Sequence, residues 1–175
     1  MLNQRTPSNQ REFYSGLDPR ICNIGIDANA LDRGGSPRDA LVDRFLTLTS
    51  SGRLIVVVSG GVRNEVQHPR TPSAVKDAVL PRIFNLQPGL IARQQEERRQ
   101  VLAVLQGNAR PGKHAADASH LSEAVETGCA YFITHDKRIL EKRDELRRVL
   151  PPSLSIVTLT EFFDVFDRFE AEQTR

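Results

Sequence analysis

The segment that decides the fold is Tyr131-Phe132-Ile133-Thr134-His135-Asp136. It begins as a short apolar run rich in aromatic and branched side chains, which is typical of a strand buried on both faces of a parallel sheet. Gly128 precedes the run and a polar pair follows it, so we expect the carboxyl end of the strand to reach the surface. We therefore predict that Asp136 lies on the rim of the sheet and not in the core.

The stretch before this strand, residues 113–128, is predicted to be a helix that ends at Gly128. Ala118, Leu121 and Val125 recur in it at three- and four-residue spacing, which marks one apolar face. Asp117 falls on the edge of that face. A carboxylate turned toward a core costs several kcal/mol unless a cation meets it, so the sequence predicts an arginine or a metal ion near Asp117.

The rest of the chain alternates between strand-like and helical patterns. Strands are predicted over residues 21–26, 53–58 and 154–159, and helices over 37–50, 73–80, 91–106 and 137–150. Ser36 is expected to be the N-cap of the first helix, and the spacing of Thr158 and Glu161 predicts a capping box before the last one. This alternation predicts an α/β fold, a three-layer α/β/α sandwich with a central parallel β-sheet.

Length and composition favour a single domain. The chain has 175 residues, of which 39% are hydrophobic, so we assign residues 21–175 to one domain and residues 1–20 to a polar, flexible tail. No apolar run approaches the about 20 residues of a membrane span, and the polar start offers no secretion signal, so we expect a cytoplasmic protein. The net charge of +2 does not by itself indicate a nucleic-acid binder, and Cys22 and Cys129 have no metal-ligand or disulfide spacing.

Four carboxylates are expected to converge at one edge of the sheet. Ligands of open parallel sheets bind beyond the carboxyl ends of the strands. Asp27 follows the first strand, Glu65 follows the second strand, and Asp136 follows the central strand. Asp117 lies on the helix that precedes the central strand. Because such a cluster repels itself unless cations compensate it, and because Mg²⁺ prefers oxygen ligands, the pattern predicts metal-assisted hydrolysis of a phosphodiester.

The same segments resemble the PIN domain, the nuclease fold shared by VapC-type toxins and several RNA-processing enzymes. The resemblance covers residues 21–163 and rests on four motifs in order, which are Ile26-Asp27-Ala28-Asn29-Ala30-Leu31, Glu65 in a helix, Asp117-Ala118 with Leu121, and Ile133-Thr134-His135-Asp136. It implies an endoribonuclease dependent on Mg²⁺ or Mn²⁺. On this basis the catalytic and metal-binding residues are Asp27, Glu65, Asp117 and Asp136, with Asn29 and Thr134 as supporting residues.

The resemblance also implies partners, and the chain departs from the family in places. An RNA substrate is expected, and the toxin of a type II pair would add an antitoxin protein and a homodimer. The chain carries a leading tail and extra residues between Pro69 and Arg110, and it has His135 where many relatives have Asn or Arg. Candidate substrate contacts are His114, His135, Lys137 and Arg138, although His135 also reads as a surface histidine and the two basic residues as part of a solvated helix face.

Each acid also has an ordinary structural explanation. Asp27 can end a strand in a turn, Glu65 can be solvated or paired with Arg63, and Asp117 and Asp136 can be helix caps. Two other functions therefore stay open: a PIN scaffold that binds RNA or a protein without cleaving, and a phosphatase with an aspartate nucleophile. The phosphatase chemistry needs a second aspartate two positions after the first, where this sequence has Asn29.

Overall fold

Four parallel strands form one sheet at the centre of the molecule. The computed structural model describes residues 16–58, 60–80 and 92–173, without the side chains at positions 61, 64 and 65. The predicted flexible tail lies outside these residues up to position 15. The strands are β1 (Asn23–Ile26), β2 (Ile55–Val57), β3 (Cys129–Ile133) and β4 (Ser155–Val157), in the order β2-β1-β3-β4. The predicted α/β class and parallel sheet are confirmed.

Helices fill the connections between the strands. They are α1 (Arg38–Ser50), α2 (Gly60–Val66), α3 (Ser73–Val79), α4 (Ala92–Gln106), α5 (Ala115–Glu126), α6 (Lys137–Glu141), α7 (Arg143–Leu146) and α8 (Leu159–Gln173), and a short 3₁₀ helix spans Ala28–Leu31. Within the described residues, none of these helices is long and apolar enough to cross a membrane.

Two separate apolar clusters cover the sheet. Ile24, Tyr131 and Val157 belong to a cluster with side chains of α1, α2, α3 and α8. Phe132 and Ile156 belong to a second cluster with side chains of α4, α5, α6 and α7. Successive strand residues point to opposite faces of a sheet, so this division is compatible with a three-layer α/β/α sandwich.

Helix α5 packs unusually close to β1, and a glycine permits it. A Cβ atom built on Gly25 would lie 3.2 Å from both Ala124 Cβ and Phe132 Cδ2, and 3.3 Å from Cys129 Sγ. Contacts of this length are tighter than ordinary van der Waals packing, so any larger residue would push neighbours apart. The absence of a side chain at Gly25 thus permits the close approach of Ala124, on α5, to β1.

Several predicted boundaries are corrected. The cap of α1 is Pro37, without a side-chain hydrogen bond, and not Ser36. The Asp39 carboxylate instead accepts hydrogen bonds from the N–H groups of Gly34 and Gly35. The side chain that accepts from these N–H groups therefore lies inside the helix, whereas an N-cap is expected at the residue before it.

The basic segment predicted as one helix over 137–150 is two short helices that break at Lys142. The break lets Arg143 donate to the Ile156 carbonyl and to the Glu161 carboxylate, at 3.2 and 2.9 Å. Periodicity along the segment contains no information about this contact with β4 and α8.

The predicted capping box of the last helix is confirmed. The N–H of Thr158 donates to Glu161 Oε2 at 2.7 Å, and the N–H of Glu161 donates to Thr158 Oγ1 at 3.2 Å. Both are free N–H groups of the first helical turn, so the two residues satisfy them reciprocally. This local pattern could be predicted because it involves only residues three positions apart.

Candidate functional site

A cavity of about 430 Å³ opens beyond the carboxyl end of β1. We call it the acidic cavity, because three carboxylates line it against one arginine: Asp27, Asp32, Asp117 and Arg70. Asp27 directly follows β1, and Asp117 lies in the first turn of α5. The prediction that Asp27 and Asp117 come to one place at the sheet edge agrees with this arrangement.

Asp27 is a buried carboxylate held by two hydrogen bonds. Only 5% of the surface of Asp27 is exposed. Oδ1 accepts from the N–H of Ala28 at 2.8 Å, and Oδ2 accepts from the hydroxyl of Thr134 at 2.8 Å. The first bond caps the 3₁₀ helix, so the turn explanation for Asp27 applies as well. The two bonds fix the carboxylate while it still lines the cavity.

Asn29 and Thr134 join the segment after β1 to the segment after β3. The Thr134 hydroxyl, which donates to Asp27, also accepts from the N–H of Asp136 at 3.0 Å. Asn29 Oδ1 accepts from the N–H of His135 at 2.9 Å. Both residues therefore position neighbours of the cavity, and their supporting role in catalysis stays a prediction. The amide of Asn29 supplies no carboxyl group for the acid–base step of a phosphatase.

Asp117 has a histidine beside it in the structure. Its Oδ2 lies 3.1 Å from Nδ1 of His114, the residue that precedes α5. A carboxylate oxygen can only accept, so a hydrogen bond here requires the imidazole proton on Nδ1. His114 is the N-cap residue of α5, so the helix predicted from residue 113 begins at Ala115, and the role of His114 as a substrate contact stays a prediction.

Asp136 lines a different cavity from the other two acids. Its Oδ1 accepts from the N–H of Ile139 at 2.9 Å and thereby caps α6, which is the structural explanation offered for it above. The second cavity, of about 760 Å³, is the basic cavity, and its charged lining residues are Lys113, Asp136, Lys137, Arg138, Glu141 and Lys142, with His114 beside them.

Arg138, predicted to contact substrate, is engaged in the fold. Its Nε donates to the Leu105 carbonyl at 2.8 Å, and its Nη2 donates to the Gln106 carbonyl at 3.3 Å. These are carbonyls of the last turn of α4, which lack partners within the helix. Lys137, in contrast, has a side chain that is 90% exposed.

His135 does not read as a plain surface histidine in the structure. Its Nε2 atom is buried and has no hydrogen-bond partner among the described residues. Burial and the nearby Arg38 guanidinium lower the pKa of this imidazole from its ordinary value. The lowered pKa favours the neutral form of the ring, and its role as a substrate contact stays a prediction.

The metal site that the sequence predicts stays a prediction. The side chain of Glu65, on α2, lies outside the described residues. Among the side chains that are described, no three of the His, Cys, Asp and Glu residues are grouped so that they could hold an ion. Asp27 and Asp117 do line one cavity, and one or two carboxylates are what Mg²⁺ usually takes from a protein. The residues present therefore fit such an ion.

Two histidines of the acidic cavity were missed by the sequence analysis. His120 is 4% exposed, and its Nδ1 lies 3.6 Å from Asp27 Oδ1, which is too long for a hydrogen bond. Its position three residues after Asp117 on the same helix face is a weak signal, because an ordinary core residue can show the same spacing. His68 follows α2, and nothing in the local sequence distinguishes it.

No protein-family model, curated protein or solved structure matches this chain. The resemblance to PIN domains therefore stays a prediction.

Proposed function

We propose that the chain is a metal-dependent ribonuclease with a PIN-like fold. The observation that carries the proposal is the meeting of Asp27 and Asp117 in one cavity beyond the carboxyl end of β1. These residues come from distant parts of the sequence, and a parallel α/β sheet binds its ligands at this edge. The cavity holds three carboxylates against one arginine, and a divalent ion would compensate the excess negative charge.

Mg²⁺ or Mn²⁺ is the proposed cofactor, held by Asp27 and Asp117 with Glu65 as a further candidate ligand. Such an ion, when bound, polarises a phosphoryl oxygen and lowers the pKa of bound water. The residues of the chain do the positioning. The Ala28 N–H and the Thr134 hydroxyl fix the Asp27 carboxylate, and His114 contacts the Asp117 carboxylate. Asp136 is the fourth proposed acid, and its N–H donates to the Thr134 hydroxyl at 3.0 Å.

The test is RNA cleavage by the purified chain with Mg²⁺ or Mn²⁺. We expect Asp27→Asn and Asp117→Asn each to lower the cleavage rate by at least about 100-fold, because each removes a charged ligand and keeps the shape. Asp164→Asn is the matched control, since Asp164 lies exposed on α8 and lines neither cavity. Thermal unfolding of each variant checks that it is folded. Cleavage that persists in both site variants, or that survives a chelator, would contradict the proposal.

A second candidate function is a scaffold that binds RNA without cleaving it. The observation that favours it is the engagement of Asp136 as the cap of α6, in a cavity apart from Asp27 and Asp117. Calorimetric titration with Mn²⁺ separates the two, because the scaffold needs no ion and the nuclease must bind one. An antitoxin protein and a second copy of the chain remain predicted partners of the nuclease.

A further inference from the structure

Lysines are rare in this chain and are concentrated at one place. The sequence contains four lysines, and three of them, Lys113, Lys137 and Lys142, line the basic cavity. The fourth, Lys76 on α3, lines neither the acidic nor the basic cavity. The three lysines come from the segment before α5, the start of α6 and the junction of α6 with α7, so the fold and not one basic run brings them together.

Two side-chain contacts join the basic cavity to the acidic cavity. His114 lines the basic cavity, and its Nδ1 lies 3.1 Å from the Oδ2 of Asp117, which lines the acidic cavity. A second link runs through Thr134, which accepts from Asp136 of the basic cavity and donates to Asp27 of the acidic cavity. A ligand long enough to occupy both cavities would thus pass directly from carboxylates to ammonium groups.

The three lysines differ in how far their side chains are already engaged. Lys137 is 90% exposed and lies 3.7 Å from Glu141, whereas Lys142 is 24% exposed and donates to Glu145 at 2.6 Å. Lys113 has no ion pair within the described part of the chain. An exposed pair such as Lys137–Glu141 contributes little free energy, so an anion can replace that carboxylate at small cost, whereas an anion at Lys142 has to compete with a direct hydrogen bond. Arg138 is different, because its guanidinium already binds the end of α4.

We propose that the basic cavity binds backbone phosphates of a single-stranded polynucleotide, next to the phosphodiester that occupies the acidic cavity. The position of the cleaved phosphodiester in the acidic cavity rests on the proposed function. Lysine ammonium groups are compact charges that hold phosphates without reading bases, so this cavity favours a long substrate over a mononucleotide and does not select its sequence. On this proposal Lys113, Lys137 and Lys142 contact the substrate, and Arg138 does not.

The experiment measures binding without cleavage. All proteins carry Asp27→Asn, and the dissociation constant of a labelled single-stranded oligonucleotide is measured at several salt concentrations. Each phosphate contact contributes about 0.7 to the slope of log K against log salt for single strands, so Lys113→Ala/Lys137→Ala/Lys142→Ala should lower the slope by about 2. Lys76→Ala is the matched control and should leave the slope unchanged.

Two outcomes would overturn the inference. The first is a slope in the triple variant that equals that of the Lys76→Ala control. The second is an equal loss of binding for a polyglutamate peptide of the same charge, which would make the basic cavity a docking surface for acidic protein segments. Failure of the proposed function is seen separately, as cleavage that does not depend on Asp27 or Asp117, and it leaves the binding slopes interpretable.

Discussion

At the scale of the residue, Thr134 decides how two loops meet. Its side chain is fully buried, and its single hydroxyl both donates to Asp27 Oδ2 and accepts from the N–H of Asp136. A buried hydroxyl that both donates and accepts a hydrogen bond satisfies its own polar atoms and one polar atom on each of the two loops. Thr134 therefore holds the carboxylate after β1 against the backbone after β3.

Replacing Thr134 with valine keeps the shape and removes both hydrogen bonds. We expect Thr134→Val to lower the free energy of unfolding by about 1–3 kcal/mol, because a carboxylate oxygen and an N–H lose their buried partner. Affinity for Mn²⁺ should fall by about 10-fold or more, since the carboxylate is no longer oriented. Urea unfolding and calorimetry measure the two effects. Thr134→Ser retains the hydroxyl, so its free energy of unfolding and its affinity for Mn²⁺ should be close to those of the original protein. If Thr134→Val left both values unchanged, Thr134 would have no positioning role.

The individual residues differ in how well the sequence predicted them. Asp27 and Asp117 could be assigned to one edge, because a strand end and a helix face are local properties. His120 could not be separated from an ordinary core residue by its spacing alone, although it lies 3.6 Å from Asp27. Arg138 donates to carbonyls 32 and 33 positions earlier in the chain, and no local pattern contains these contacts.

At the scale of the element, the distance of α5 from β1 depends on Gly25. Asp117 and His120 both lie on α5, and Asp27 directly follows β1. The contacts that a side chain at Gly25 would make are with Ala124 of α5 and with two residues of β3. A side chain at this position would therefore disturb the packing of α5 and β3 against β1.

We expect Gly25→Ala to lower the free energy of unfolding by about 1–3 kcal/mol, the usual cost of an added methyl group in a tight core. Gly60→Ala is the matched control. A Cβ atom at Gly60 meets nothing within 4 Å, so that variant should be neutral or slightly more stable. Chemical denaturation of both variants makes the comparison. Equal stabilities would show that α5 can shift away from β1 without cost.

Elements were predicted well where their signals are local. The capping box of Thr158 and Glu161 spans one helical turn and was predicted correctly. The break at Lys142 accompanies contacts of Arg143 with β4 and α8, which the sequence of the segment does not contain. The same limit applies to α1, whose turn is satisfied by Asp39 from inside the helix.

At the scale of the whole molecule, the strand order creates the site. Alternating strand and helix patterns predicted a parallel sheet, but they did not say which strands are neighbours. The order β2-β1-β3-β4 places β1 beside β3, and Ile26 is paired with Ile133. Asp27 and Thr134 are the residues that follow these two, so their hydrogen bond across 107 positions is a product of the topology.

The same pairing brings two thiols to the start of neighbouring strands, and they make stability sensitive to alkali. Burial raises the pKa of Cys22 and of Cys129 from 9.0 to about 11. The folded state then holds these protons more tightly than the unfolded state. Their contribution to stability is complete below pH 9.0 and is lost as the pH rises toward about 11.

We therefore expect the free energy of unfolding to fall between about pH 8 and about pH 11, and to fall less steeply in Cys22→Ala/Cys129→Ala. Urea unfolding across this range provides the curves. The comparison uses the slopes and not the absolute values, because alanine also removes apolar contacts and other groups titrate there. Parallel curves for the two proteins would mean that the thiols ionise equally in both states.

The scarcity of lysine has a practical side for anyone who handles the protein. Reagents that attack primary amines, such as those used for biotinylation, fluorescent tagging or coupling to a sensor surface, find three of the four lysine side chains around one opening. Amine coupling at these lysines would therefore obstruct that opening and interfere with a test of the proposed nucleic-acid binding. Attachment through a terminal tag avoids this artefact, and differential amine reactivity with and without an oligonucleotide becomes a direct footprint of occupancy.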